Sequence, residues 1–131
     1  MRKRNLIFIF IAFAFSSFTL TGDYTEIVSP ITLTELPATC KPNKEVKFKI
    51  TSTLNSDCTV YSRQETNQKG KIVTVTIYGE YPTGQSCKEI LKEIKTDFSY
   101  TPKSKGNYIF QFTTAILGGK RFYKTDTLVV K

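Results

Sequence analysis

Val46-Lys-Phe-Lys-Ile-Thr51 alternates strictly: Val46, Phe48 and Ile50 are apolar, while Lys47, Lys49 and Thr51 are polar. A period of two means a strand with one face in a core and one in water. The same beat returns at Val73–Tyr78, at Ile94–Tyr100 and at Tyr108–Thr113. Shorter runs at 27–33, 59–63 and 121–130 bring the expected total to about seven strands. Between them lie turn formers: two prolines in 37–43, Asn55-Ser-Asp57, Gly70, and Pro102 to Gly106. Gly118-Gly119 between apolar runs is the strongest hairpin signal. With no regular helical alternation between strands, the pattern predicts an all-β, antiparallel two-sheet Greek-key sandwich.

One stretch, 86–94, reads two ways. Ser86-Cys-Lys-Glu89 matches a capping box, and Cys87, Ile90, Leu91 and Ile94 fall at helical spacing. A helical turn or the start of a strand satisfies it equally. It is too short to alter the architecture.

Outward from the strands, the N-terminus is of another kind. Met1-Arg-Lys-Arg4 is followed by ten unbroken apolar residues, Leu6 to Phe15, and then by small and polar ones up to Gly22. A cationic start, a short apolar core and a polar exit predict a secretory signal helix over 1–22, with the sandwich domain at 23–131. The apolar stretch falls short of the roughly 20 residues a bilayer span needs. No second long apolar run follows, so no membrane span is expected after signal removal. Of the 131 residues, 109 then remain, the size of one domain. Three of the nineteen basic residues go with the signal, so the net charge falls from +8 to +5. The remaining cations are scattered, as on a solvated strand surface rather than an anion-binding patch.

Export carries the chain to an oxidising compartment: secreted, periplasmic or at the cell surface. Its three cysteines then make one pair and one remainder. A bridge needs Cα atoms about 4.4–6.8 Å apart. Cys40 precedes the strand around 44–53 and Cys58 follows it, so the two are separated by a strand's length. Cys58 and Cys87 fall at the same end of the sandwich, which predicts a Cys58–Cys87 disulfide. Cys40 is left free, either a buried structural thiol or a reactive, intermolecular one.

Lys103-Ser-Lys-Gly-Asn-Tyr108-Ile-Phe-Gln-Phe112, followed by a hairpin and Thr127-Leu-Val-Val130, resembles the ending of immunoglobulin-like and fibronectin-III-like domains. With Ser56-Asp-Cys58 and Cys87 ahead of Phe98-Ser-Tyr-Thr-Pro102, the chain is similar to small bacterial secreted domains of that kind, whose function is unassigned. The resemblance implies a structural tyrosine corner at Tyr108, its hydroxyl bonded to backbone upstream. It implies a fold and no activity. There is no tryptophan, and neither bridge cysteine lies where the antibody-type disulfide would run.

The chemistry available is narrow. Without histidine, no Ser-His-Asp or Cys-His site and no His-based metal site can be built. The eleven acids are dispersed, no calcium loop is complete, and Gly118-Gly119 joins two strands rather than a strand and a helix. No catalytic residue, cofactor or metal is therefore expected, and the chain is read as no enzyme. Lys120, Arg121 and Tyr123 interleave cation and aromatic only faintly, and export argues against nucleic acid. The remaining candidates are the loops at 54–58, 79–87 and 118–120, expected at one end of the sandwich. Tyr81, Gly84, Gln85, Lys120 and Arg121 would form a contact surface there for an unknown protein or glycan. The alternative is a passive structural or assembly component of the cell envelope, pairing through an edge strand or through Cys40.

Overall fold

The computed structural model describes residues 23–131. The expected signal helix and its cleavage site lie outside them. Nine strands follow in chain order: β1 (Tyr24–Ser29), β2 (Ile31–Thr34), β3 (Thr39–Cys40), β4 (Val46–Ser56), β5 (Val60–Lys69), β6 (Ile72–Pro82), β7 (Glu89–Tyr100), β8 (Gly106–Leu117) and β9 (Lys120–Val130). They form two sheets. The larger runs β1-β6-β8-β9-β3, with β5 on the other side of β6; the smaller runs β2-β4-β7. The all-β sandwich expectation holds at this level.

The strand count rises from about seven to nine because the expected run at 27–33 breaks at Pro30, which has no N–H for a ladder. Its halves join different sheets: β1 pairs with β6, and β2 with β4. Cys40 also sits in a two-residue strand, paired parallel to β9. The ambiguous 86–94 segment contains no helix. From Glu89 it is strand, pairing along β4 from Ser56↔Glu89 to Val46↔Tyr100. A twelve-residue strand laddered on a formed neighbour outweighs one helical turn with nothing to pack on.

Nor is the pairing wholly antiparallel. Ile72–Val75 run parallel to Ile109–Phe112. The cause is connectivity: after β6 the chain crosses to the small sheet as β7, then returns as β8 in the direction β6 had. Beyond Val75 the flank of β6 is taken by β1, whose Ser29–Tyr24 pair with Ile77–Pro82. At a register shift between Thr113 and Ala115 the β8–β9 ladder changes phase.

The core lies where the inward positions of β4, β6, β7 and β8 meet. Val46, Phe48, Ile50, Val73, Val75, Ile77, Phe98, Tyr108, Phe110, Phe112, Leu128 and Val130 are all buried. Phe48, Phe98, Phe110, Phe112 and Tyr100 interlock at centroid separations of 5.0–6.2 Å, mostly edge to face. The Tyr108 hydroxyl donates to the Ser104 carbonyl at 3.0 Å, closing the corner into β8. Gly118 and Gly119 take φ of 58° and 78°, the positive pair that a two-residue hairpin demands. Gly79 is required for another reason: a Cβ there would stand 2.9 Å from Leu54 Cδ2.

Candidate functional site

The disulfide joins Cys58 to Cys87, with Cα atoms 5.7 Å apart and a sequence separation of 29. Cys58 lies on the connection from the small sheet to the large one, and Cys87 on the connection back. The bridge therefore ties together two crossovers at one end. Around it the backbone is closely paired: the Asp57 N–H donates to the Lys88 carbonyl at 3.1 Å, and the Lys88 N–H donates to Asp57 Oδ1 at 2.9 Å. Ser56 and Thr59 share a hydrogen bond of 2.6 Å, both hydroxyls buried. Asp57, Cys58 and Cys87 bring a carboxylate and two sulfurs together. With the sulfurs bonded to each other, only the carboxylate remains as a ligand.

The candidate loop residues separate into two places. Tyr81 lies inside β6 rather than in a loop, and lines a cavity of about 480 Å³ with Asn55, Cys87, Ile90 and Leu91 beside the disulfide. Gly84 and Gln85 form the exposed turn after β6, with φ of 79° at Gly84. Lys120 and Arg121 belong to β9. Arg121 does not face the disulfide cavity. Its Nη1 donates to Thr76 Oγ1 at 3.4 Å, on the outer face of the large sheet, and Lys120 Nζ lies 5.4 Å from the Phe122 ring centre.

That outer face carries a second cavity, a groove of about 350 Å³. Its floor follows from register. Asn67 pairs with Thr74, Thr74 with Gln111, and Gln111 with Thr125, so four strands set polar side chains in one row. The next row is Glu65, Thr76, Thr113 and Tyr123. Thr74 Oγ1 donates to Gln111 Oε1 at 3.1 Å, and Thr76 shares a 2.7 Å hydrogen bond with Thr113. Although they point outward, Thr76 and Thr113 are only 1% and 0% exposed. Arg121 and Tyr123 of the β9 hairpin arm form one wall of the groove, with Lys69 and Ile72 at its far end. Arg63 braces the neighbouring surface: it donates to Glu26 at 2.6 Å and to Glu65 at 2.9 Å, and lies 4.2 Å over the Tyr78 ring. Its two carboxylate partners raise its already high pKa further.

Of the groove residues, sequence reasoning singled out Arg121 and Tyr123, and Tyr123 only as part of a faint cation–aromatic pattern. Thr74, Thr76 and Gln111 read from sequence as the wet side of strands, and Asn67 as the start of the turn that ends at Gly70. What marks them in the sequence is that β6 and β8 alternate apolar with amide or hydroxyl rather than with lysine. That pattern becomes a site only once the β6–β8 register is known.

Cys40 is the one free thiol. It is half-buried and packed against the core, opposite Val130. Burial pushes its pKa up, so less of it is thiolate at any given pH and nucleophilic attack slows. At pH 8 without reductant, a thiol reagent should label it at least about tenfold more slowly in the folded protein than in urea. Labelling at equal rates in both would show an open, reactive thiol instead.

The fold and the bridge define a class: a small, disulfide-clamped all-β sandwich with a polar groove on its larger sheet. Within that class, a family model for the ORF11 beta-sandwich domain matches residues 48–125, and the chain belongs to this family. The match runs from β4 into β9 and takes in both bridge cysteines and the whole lining of the groove. No curated protein and no solved structure matches the chain.

Proposed function

We propose that this chain is a secreted, non-enzymatic binding module that recognises a glycan through the groove on the outer face of its large sheet. One observation carries the reading: a row of amide and hydroxyl side chains, Asn67, Thr74, Gln111 and Thr125, lies in register across four strands, walled by Arg121 and Tyr123. Asn67, Gln111 and Thr74 each donate and accept, as a polyhydroxylated ligand requires. Glu65 and Arg121 supply charge-assisted bonds to vicinal hydroxyls. Tyr123 and Ile72 offer apolar surface to the C–H face of a sugar ring. Such a mixture of a few placed polar groups on a partly apolar wall is what small-ligand sites use. A disulfide is compatible with an oxidising address outside the cytosol. Among the described residues, no helix is long and apolar enough to cross a membrane. The immunoglobulin-like kinship rests on the hairpin ending and on the Tyr108 corner.

The test is an array of neutral and acidic oligosaccharides, followed by titration of any ligand found. Arg121→Ala and Tyr123→Ala are each expected to weaken binding at least about tenfold, while Tyr81→Ala, in the other cavity, leaves it unchanged. Binding lost with Tyr81→Ala and kept by the groove variants would return the site to the disulfide end. A second reading has its own observation: Leu91 is 83% exposed beside Ile90 at that end, which suits a protein contact.

A further inference from the structure

β7 is the longest strand of the small sheet and its last. It pairs along its length with β4 and, among the described residues, with nothing on its other side. An unpaired twelve-residue edge is a template for another strand. This edge is also held in place. Lys92 Nζ donates to the Thr59 carbonyl at 3.0 Å, just ahead of β5. The other edges are less open: β3 has two residues, and β5 carries a register shift between Tyr61 and Arg63.

We propose that β7 pairs with β7 of a second copy of this chain, antiparallel about a two-fold axis, in the register that sets Ile94 opposite Ile94. Three constraints select this arrangement. First, side chains alternate, so a two-fold that continues the small sheet must pair residues of like parity; Lys92, Ile94, Thr96 and Phe98 then share the inward face. Second, the pairing should use the whole strand, Glu89–Tyr100, which leaves only the registers centred on Ile94 and on Lys95. Third, charge decides between those two. Centring on Lys95 places Lys95 against Lys95 and Glu93 against Asp97, all repulsive. Centring on Ile94 places Glu93 against Lys95 of the second copy, and Lys95 against its Glu93. The symmetry thus makes the attraction twice over. A register centred on Thr96 would pair Lys95 with Asp97, but Asp97 is already committed to Lys49 at 2.5 Å, and fewer residues would be paired.

The consequences are structural. Glu93 and Lys95 are both exposed in the single chain, so neither gives up an existing partner. Ile94, which packs only partly on the core, becomes covered by its own copy. The result is a continuous six-stranded sheet, β2-β4-β7-β7-β4-β2. The glycan groove lies on the other sheet and remains open on both copies, so this inference stands apart from the reading above.

The experiment is analytical ultracentrifugation of the purified protein over a range of concentrations, with charge reversals. The wild-type chain is expected to form a dimer that weakens as salt rises. Glu93→Lys alone and Lys95→Glu alone, each turning two attractions into repulsions, should weaken dimerisation at least about tenfold. Glu93→Lys combined with Lys95→Glu in one chain should restore it, as should mixing the two single variants. Cys40→Ser should leave it unchanged. A wild-type chain monomeric at every soluble concentration, a dimer indifferent to both single reversals, or a dimer lost with Cys40→Ser would each overturn the proposal.

Discussion

Replacing Cys58 and Cys87 together with serine should lower the stability of the domain by about 3–4 kcal/mol. The figure comes from the chain entropy restored to the unfolded state when a 29-residue connection is no longer closed. Position adds to the argument. The bridge links the passage out of the small sheet to the passage back into it, so it holds the two layers in register at that end. What remains without it is the paired Asp57–Lys88 backbone and the Ser56–Thr59 hydroxyl pair. These are short-range contacts that cannot limit the unfolded chain. Thermal unfolding should show a melting temperature lower by roughly 15 °C, since about 1 kcal/mol moves a domain of this size by about 4–8 °C. A loss of under about 1 kcal/mol would mean that this end is already ordered in the unfolded state, and that the bridge does not clamp the fold.

How much of this was legible beforehand depends on distance along the chain. β4, β6 and β8 declare themselves, because each has one face in the core and the sequence alternates accordingly. The disulfide was legible too, since it needs only which end of a strand each cysteine occupies. The split at Pro30 was visible as a proline within an apolar run, but where the two halves go depends on partners far away. Residues 86–94 carried both a helical and a strand pattern, and only the long ladder against β4 settles them. The parallel β6–β8 contact follows from where the chain crosses between layers, which no local pattern encodes.

The candidate site divides in the same way. Residue type alone points to Arg121, and the sequence places it at a loop end. In the structure it belongs to a hairpin arm whose side chains reach the outer face of the sheet. Its partners Asn67, Thr74 and Gln111 are polar residues at ordinary outward positions. They become a site through register across four strands, from β5 to β9. A function carried by a sheet face is harder to read than one carried by a motif, because each strand contributes only ordinary outward positions and the groups meet only through register.

Phe110→Ala should be the most damaging single substitution in the core, at about 3–5 kcal/mol. Phe110 is fully buried and meets four other rings: Phe48 at 6.1 Å, Phe98 at 6.2 Å, Tyr100 at 5.3 Å and Phe112 at 5.9 Å between centroids. Three of these contacts are edge-to-face and join the two sheets, so truncation removes packing between layers as well as within one. The surrounding rings are anchored on paired strands and cannot collapse far into the space, so the cavity term is retained. Against a total of about 5–15 kcal/mol for a domain, such a loss leaves the protein marginal at 37 °C. Urea unfolding at constant m-value would measure it, with Phe110→Leu as the control that keeps most of the volume and should cost markedly less. If alanine and leucine cost the same small amount, the ring cluster does not join the sheets, and the two layers are held by the disulfide end alone.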